Sequence, residues 1–377
     1  MHKSFLQNQI LAFFKLWNET GPLDLALGDF FRARKYLGSH DRRTIGDSIY
    51  ALVRWQSLFD HFDPGKSIVK RLYMLLEKTA EEWAKIPGVP LFARYAASPF
   101  LYKKLTEIYG MKQGAELCLT LSESAPIAIR TNLMKTDRKQ LFEMLQKRFA
   151  VSEGALTETA ICFFKREPLF SLPEFKDGLF EVQDEGSQKV AELVAALPSQ
   201  RVLDYCSGSG GKALAIAARM GGKGEIYLSD VRKNALVQAK KRLCRAGVQN
   251  AQVLPMDHPT FTKLAGKMDW VLLDVPCSGT GTLRRNPEMK LRIDSLMIQR
   301  LVQEQRSIID KAIRFVKPGG RIVYATCSIL PEENEEQILY FAEKQGFVLE
   351  NKPLKILPSS GGCDGFFAAV FRKEPIR

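Results

Sequence analysis

The sequence of 377 residues lacks the cysteine and histidine spacings that hold metal ions. Its seven cysteines lie far apart without a C-x-x-C pair, and its four histidines form no H-E-x-x-H arrangement. These absences argue against a zinc site and against a disulfide framework, which a chain of this length does not need in order to build a core. We therefore expect reduced thiols and no metal.

Long apolar runs are also missing. The run nearest the N-terminus, Ile10 to Phe14, is interrupted by Lys15. A membrane span needs about 20 apolar residues, and a secretory signal needs a cleavage site after its apolar core. The sequence therefore predicts a cytoplasmic protein with no membrane partner. Nothing in it indicates an oligomer, so we expect a monomer.

Acidic residues are the minority, because 42 Asp and Glu stand against 55 Lys and Arg, for a net charge of +13. The excess is uneven: residues 101–150 carry net +4, residues 151–200 net −5 and residues 201–250 net +7. Two basic blocks around an acidic stretch favour a localised basic face, which is compatible with a polyanionic partner. A soluble protein that is merely basic remains an alternative at this point.

Hydrophobic spacing divides the chain into three predicted parts. Residues 1–93 carry apolar stripes at helical spacing and are predicted to form a helical domain. Residues 94–180 mix a strand, Ala128 to Asn132, with amphipathic helix and are predicted to form an α+β module. In residues 181–377 strands and helices alternate, which predicts an α/β domain with a doubly wound, mostly parallel, Rossmann-like sheet.

Four aspartates close successive predicted strands of the α/β part. The strands are predicted at 201–204, 225–230, 252–257, 268–274 and 321–327, with a long helix at 295–316. Asp204, Asp230, Asp257 and Asp274 end the first four strands. Because open α/β sheets bind ligands at the carboxyl ends of their strands, we expect these side chains to face one site. A single such Asp is often a helix cap, but four in succession favour a site.

A glycine-rich loop, residues 206–212, follows the first of these strands. It fails the pattern of a P-loop and matches the dinucleotide fingerprint only loosely, through Gly208, Gly210 and Ala213, so a nicotinamide-dependent dehydrogenase is a distant alternative. S-adenosylmethionine is the nucleoside cofactor that remains. We expect its ribose at Asp230, its adenine near Asp257 and its amino-acid end against the loop.

Two cysteines are expected beside that loop. Cys277 follows the strand that Asp274 closes, and Cys327 ends the strand at 321–327. Either alone would be interpreted as a buried structural thiol. Together they favour covalent catalysis, in which a thiolate adds to carbon 6 of cytosine and makes carbon 5 nucleophilic toward a sulfonium methyl group. Asp274 would hold a proton against ring nitrogen 3. Spacing leaves open which cysteine attacks.

Several segments together resemble the motifs of RNA cytosine-5 methyltransferases, and the bacterial RsmB/Sun branch in particular. They are residues 204–212, 274–281, 284–288, 324–334 and 364–368, and the similarity covers about 100–377. In that family the Thr-Cys cysteine is the nucleophile and the Pro-Cys cysteine acts in product release. The resemblance therefore implies that Cys327 is the nucleophile, that Cys277 assists release and that Asp274 is catalytic.

The resemblance also implies cofactor and RNA contacts. The cofactor residues are Cys206, Ser207, Gly208, Ser209, Gly210, Gly211, Lys212, Asp230, Asp257 and Asp274. Residues 94–180 would be the RNA-binding module, and residues 1–93 a shortened, NusB-like helical domain. We expect Arg130, Arg284 and Arg285 to contact RNA phosphates.

The sequence departs from the family in the glycine loop. Ser209 replaces the usual Pro, and Ala213 replaces the usual Thr, which predicts a looser loop. Ala235 stands where an Arg usually follows the ribose aspartate. The expected function is S-adenosylmethionine-dependent formation of 5-methylcytosine in small-subunit ribosomal RNA. A transfer-RNA enzyme with the same chemistry and a non-catalytic RNA-binding assembly factor remain alternatives.

Overall fold

The chain folds into two compact units. The computed structural model describes residues 3–17, 21–344 and 346–374. One unit comprises Met1–Ser124 and Thr282–Met297, and the other comprises Ala125–Gly281 and Ile298–Arg377. This division differs from the predicted boundaries near residues 93 and 180, since the α+β part shares a unit with the α/β part.

The first unit is helical, and its core is the apolar stripes seen in the sequence. Ile10, Phe13 and Trp17 are buried on the first helix and just after it, and Ile45 and Ile49 are fully buried on the third. The helices are α1 (Lys3–Leu16), α2 (Leu23–Arg32), α3 (Ser39–Arg54), α4 (Gln56–Phe62), α5 (Ile68–Glu77), α6 (Ala80–Ala84), α7 (Leu91–Arg94), α8 (Pro99–Tyr109) and α9 (Met111–Thr120).

The segment 282–297 contributes buried polar groups to this helical unit. The backbone amide of Leu23 donates to Glu288 Oε1 at 3.1 Å. The Lys290 ammonium donates to Ser122 Oγ at 2.5 Å, and both residues are buried. Residues 282–297 therefore belong to the helical unit, although they follow a strand of the second unit along the chain. Hydrophobic spacing does not predict this.

The second unit begins with a small antiparallel sheet in the order β2-β3-β1-β4. Its strands are β1 (Ile127–Thr131), β2 (Val151–Glu153), β3 (Ala160–Phe163) and β4 (Phe180–Val182), accompanied by α10 (Arg138–Gln146) and α11 (Pro173–Lys176). Leu141 and Leu145 of α10 pack on Ile129 and Phe180, and all four are fully buried. The predicted strand at residues 128–132 is thus confirmed to within one residue.

The larger sheet confirms the predicted Rossmann-like, doubly wound fold. Its order is β10-β12-β9-β8-β5-β6-β7, with β11 paired to β12, and the pairs from β9 to β7 are parallel. The strands are β5 (Arg201–Asp204), β6 (Glu225–Leu228), β7 (Ala251–Val253), β8 (Met268–Asp274), β9 (Val316–Thr326), β10 (Phe347–Leu349), β11 (Leu354–Ile356) and β12 (Phe366–Lys373).

Two apolar layers cover the faces of this sheet. Val202 and Leu272 belong to one layer, whereas Leu203 and Leu273 belong to the other, as the alternation of side chains along a strand requires. The accompanying helices are α12 (Glu185–Glu192), α13 (Gly211–Arg219), α14 (Lys233–Ala246), α15 (Pro259–Thr262), α16 (Ser295–Ala312) and α17 (Glu335–Ala342).

Element bounds differ from the prediction mainly near Asp257. Strands β5 and β8 have the predicted bounds, but β7 ends at Val253 instead of reaching residue 257. Pro255 follows, and its ring nitrogen has no hydrogen with which to extend the ladder. Asp257 is consequently in a turn beyond the strand.

In residues 3–17, 21–344 and 346–374 no helix has both the length and the apolar character to cross a bilayer.

The small sheet and α14 are joined through Asn132, which gives a stability prediction. The buried Asn132 amide donates to the carbonyls of Gly178 at 2.8 Å and Ala246 at 2.9 Å. Because Asn132→Ala leaves both buried carbonyls without this donor, we expect it to lower the free energy of unfolding by roughly 2–4 kcal/mol in urea denaturation. Lys135 makes analogous bonds from an exposed position, so Lys135→Ala should cost less than about 1 kcal/mol. Equal losses would contradict this account.

Candidate active site

A cavity of about 780 Å³ opens at the carboxyl edge of the larger sheet, beside the ends of β5, β6, β8 and β9. This is the edge at which parallel α/β sheets bind ligands. The side chains that line it and were predicted as site residues are Cys206, Ser207, Gly208, Ser209, Gly211, Lys212, Asp230, Asp274, Cys277 and Cys327. The fold thus brings together the glycine loop, three of the four strand-end aspartates (Asp204, Asp230 and Asp274) and both motif cysteines.

The glycine loop needs its glycines for backbone geometry. Gly208 and Gly210 have φ angles of +52° and +80°, which side chains other than glycine rarely adopt. A Cβ atom at Gly210 would also lie 3.0 Å from the Leu228 side chain. The turn delivers the chain into α13, whose free N-terminal amides begin at Gly211 and suit an anionic group.

Two arginines outside the loop hold it in place. Arg242 of α14 donates to Ser209 at both the carbonyl, 3.1 Å, and the hydroxyl, 2.7 Å. The same guanidinium pairs with the buried Glu181 of β4 at 3.0 Å. Arg130 of β1 donates to the Gly211 carbonyl at 2.7 Å. Ser209 therefore gains bonds that the expected looser loop would lack.

Asp230 is anchored at the rim of the cavity. Its carboxylate accepts from the amides of Gly208 and Arg232, each at 2.8 Å, and from the Arg232 guanidinium at 3.0 Å. Burial alone would raise the pKa of Asp230, but the bonds from Arg232 and Gly208 lower it overall. The group therefore stays anionic and can accept further hydrogen bonds.

The pKa of Asp204 is shifted in the opposite direction from that of Asp230. It lines the cavity with 1% of its surface exposed, and within the described residues the Ala213 amide, a weak donor, is the one hydrogen-bond partner of its carboxylate. Burial, and next the charge of Asp274, raise the pKa of Asp204 to about 8. The Ser207 hydroxyl, also on the cavity wall, is a buried polar group without a partner among the described residues. Both groups are available to bond a polar ligand in the cavity, because buried polar atoms are normally hydrogen-bonded.

Lys212 and Asp274 form an ion pair next to the cysteines, with Nζ and Oδ2 2.5 Å apart; the Lys212 side chain is buried, whereas that of Asp274 is a third exposed. Burial would lower the pKa of Lys212, but Asp274 and more distant anionic groups, including Cys327, raise it on balance. Lys212 therefore remains a cation close to the Cys327 sulfur.

The two cysteine sulfurs lie 3.3 Å apart. Strands β8 and β9 are parallel neighbours in which Asp274 is opposite Ala325, so the residues that follow each strand emerge at one edge. The hydrogen bond to Cys327, followed by burial, raises the pKa of Cys277 well above its usual range. Cys277 is therefore a neutral thiol at neutral pH.

Several predicted contacts are wrong or unsupported by position. The side chains of Arg284 and Arg130 have 0% and 5% exposure, so neither guanidinium is available to an RNA phosphate. Arg285, half-buried in the helical unit, stays a prediction. Asp257 is exposed, pairs with Lys233 at 3.0 Å and does not line the cavity. Gly210 shapes the loop from behind instead of lining it.

One wall of the cavity was missed by the sequence analysis. Glu304, Ser307, Ile308 and Lys311 lie along one face of α16 and line the cavity. Their i, i+3, i+4, i+7 spacing indicates a shared helix face, but an ordinary polar-apolar mixture carries no sign of a ligand. The supporting roles of Arg242 and Glu181 were missed because both lie far from the loop in the sequence.

Comparison with known proteins was made on sequence and on structure. Residues 191–372 match the model of the family described as 16S rRNA methyltransferase RsmB/F. The chain belongs to the RsmB/F family. Its glycine loop, strand-end aspartates and cysteine pair all lie within the matched range.

Two curated relatives and one solved structure agree with that assignment. The ribosomal RNA small subunit methyltransferase B of Vibrio cholerae is 31% identical over 290 residues, which are 74% of this chain and 66% of that protein. The 28S rRNA (cytosine-C(5))-methyltransferase of Mus musculus is 31% identical over 309 residues, 74% of this chain but 39% of that protein. The crystal structure of PH0851 shares the fold at a TM-score of 0.82, with 22% identity and coverage of 98% and 97%. The chain thus spans between two-fifths and two-thirds of these two curated relatives.

The residues that line the cavity fit S-adenosylmethionine, the cofactor of methyltransferases. Its methionine end carries an ammonium and a carboxylate, which match the buried Asp204 carboxylate and the α13 N-terminus. Its ribose hydroxyls match the ionised Asp230. The fit thus rests on one buried carboxyl group with little hydrogen bonding, Asp204, and on one ionised carboxylate at the rim, Asp230.

The opposite pKa shifts of two aspartates predict opposite mutational effects on stability. Folding raises the pKa of Asp204, so the folded state holds an extra proton between about pH 4 and pH 8, and stability falls as pH rises through that window. Asp204→Asn should therefore be more stable than the wild type at pH 8, with a gain that shrinks toward pH 5 by up to about 1.4 kcal/mol per pH unit. Asp230→Asn, whose parent has a lowered pKa, should instead be destabilised at pH 8. Urea denaturation at pH 5 and 8 measures both, and a pH-independent gain in Asp204→Asn would contradict the assignment.

The anchoring of the glycine loop predicts a contrast between two arginines. Both Arg242 and Arg245 pair with Glu181, but only Arg242 bonds to Ser209. Arg242→Met should weaken S-adenosylmethionine binding roughly tenfold in calorimetry, because the loop loses two hydrogen bonds. Arg245→Met is the matched control and should bind as the wild type does. Equal weakening in both variants would show that Glu181 pairing, and not the loop contact, is responsible.

Proposed function

We propose that this protein is an S-adenosylmethionine-dependent RNA cytosine-5 methyltransferase that acts on small-subunit ribosomal RNA. The observation that carries the proposal is the pair of cysteine sulfurs 3.3 Å apart, set at the cavity that also holds Lys212 and Asp274. A single cysteine would fit a structural thiol, whereas two in contact at a cofactor cavity fit covalent activation of a pyrimidine.

Cys327 is the nucleophile in this proposal. Its sulfur lies near the Lys212 cation, which favours the thiolate, whereas burial and the contact with Cys327 keep Cys277 a neutral thiol. The Cys327 thiolate adds to carbon 6 of the cytosine, and the electron pair of the 5,6 double bond becomes available at carbon 5. S-adenosylmethionine, when bound, supplies the methyl group. Asp274 faces the ring and holds a proton at nitrogen 3 as charge develops.

Cys277 assists release. After methylation, a water molecule takes the proton from carbon 5, and the electrons of that bond re-form the 5,6 double bond and expel the Cys327 thiolate. The Cys277 thiol, already hydrogen-bonded to that sulfur, stabilises the departing thiolate. In this proposal the two cysteines have unequal roles despite their contact.

The choice of RNA rests on relatives and charge. The two curated relatives described above carry ribosomal RNA in their names. The net charge of +13 is compatible with a polyanionic substrate. Transfer of tritium from the labelled methyl group into purified small-subunit ribosomal RNA tests the proposal directly. Labelling of transfer RNA alone would favour the transfer-RNA alternative, and labelling of no RNA would favour a non-catalytic binding protein.

The unequal cysteine roles predict opposite phenotypes. Cys327→Ala should abolish methyl transfer, because no thiolate is available to activate carbon 5. Cys277→Ala should form the adduct but release it slowly, so a protein–RNA complex should persist on a denaturing gel. In the double variant Cys277→Ala with Cys327→Ala the complex should disappear. Freely dissociating RNA from the Cys277→Ala variant would refute the division of roles.

A further inference from the structure

The residues on either side of Cys277 are held by two buried side chains. The Pro276 carbonyl accepts from Gln305 Nε2 at 3.0 Å. The Ser278 amide donates to Glu333 Oε1 at 2.8 Å, and the Ser278 hydroxyl donates to Glu333 Oε2 at 2.5 Å. Gln305 also donates to Glu333 at 3.0 Å, which closes the arrangement. The loop around Cys277 is thus fixed both before and after the cysteine.

The residues on either side of Cys327 are held in the same way by Asn334. The Thr326 hydroxyl donates to Asn334 Oδ1 at 2.6 Å. Asn334 Nδ2 donates to the Ser328 carbonyl at 2.9 Å. One amide side chain therefore bridges the chain on both sides of the second cysteine.

The two arrangements share a peptide bond and a hydroxyl cluster. Glu333 and Asn334 are consecutive, so neither cysteine loop can shift without moving the support of the other. Between the loops, Ser328 Oγ lies 3.3 Å from Ser278 Oγ and 3.0 Å from Thr280 Oγ1. All five residues have at most 1% exposure, so water does not compete for these bonds.

We propose that Glu333 and Asn334 are positioning residues that together set the distance between the Cys277 and Cys327 sulfurs. Glu333 acts through the Pro276–Ser278 loop, and Asn334 acts through Thr326 and Ser328. Three donors converge on Glu333, which suits the acceptor-only carboxylate. The catalytic consequence rests on the proposed function: the Glu333 arm supports release and the Asn334 arm supports adduct formation.

A chemical cross-link tests the distance without any methyl transfer. Diamide takes up two hydrogen atoms as two thiols become one disulfide, and mass spectrometry measures the Cys277–Cys327 cross-linked peptide. Glu333→Ala and Asn334→Ala should each slow its formation roughly tenfold, because each removes at least two buried bonds. Glu333→Gln should restore the rate, since its amide can still accept from the Ser278 amide and donate to the Ser278 hydroxyl.

Glu335 supplies the matched control, because it lies two residues away and pairs with Lys355 at the surface. Glu335→Ala should cross-link at the wild-type rate. Thermal denaturation confirms that each variant is folded. If either alanine variant does not fold, Ser278→Ala and Thr326→Val each remove the hydroxyl that bonds to Glu333 or to Asn334, with that hydroxyl's neighbouring contacts, and should slow the cross-link in the same sense. Wild-type rates in folded variants of both arms would overturn the proposal.

A second readout separates this proposal from the proposed function. On RNA, Glu333→Ala should accumulate the covalent complex, whereas Asn334→Ala should form it slowly. Opposite phenotypes from adjacent residues are not expected of a general loss of stability. If the wild type methylates no RNA, the proposed function fails while the cross-linking result still decides the positioning role. If it does methylate RNA but both variants lose adduct equally, the assignment of one arm to each cysteine is wrong.

Discussion

The parallel pairing of β8 with β9 is the constraint on which the candidate active site depends. Asp274 is opposite Ala325 in this ladder, so Cys277 and Cys327, fifty residues apart in the chain, leave the sheet at the same edge. Both strands are buried on both faces, which makes a slip in register costly. The cysteine contact, the Lys212–Asp274 pair and the buried Glu333–Asn334 support all presuppose this register.

Charge in this protein serves internal cohesion as much as any partner. The acidic block 151–200 and the basic block 201–250 meet where Glu181 pairs with Arg242 and Arg245. Further basic groups of the second block, Arg201 and Arg232, are also paired. The sequence-based expectation of a basic face assigned these charges to a polyanion, whereas two of them, Arg242 and Arg245, hold α14 to the small sheet.

Some site residues could be predicted from the sequence and others could not, depending on whether their placement follows from the strand pattern or from contacts distant in the chain. Strand-end positions such as Asp230 and Asp274 were predicted because an alternating pattern of strands and helices implies one ligand-binding edge. Asp257 was misplaced because Pro255 ends pairing early, a local effect that shortens β7. Arg284 and Arg130 were wrongly predicted to contact RNA, because the sequence does not show whether a guanidinium faces solvent or is buried. Arg242 was missed because its contact with Ser209 spans 33 positions.

The sequence by itself indicated the fold class, the glycine loop and the two motif cysteines, since periodicity and motif spacing are local properties of the chain. Only the tertiary structure decided that segment 282–297 folds with the helical unit, that Asp204 is buried with little hydrogen bonding, and that Glu333 and Asn334 hold the cysteine loops. Those outcomes depend on which distant groups are excluded from water together, because burial determines both the pKa of an aspartate and the value of a hydrogen bond.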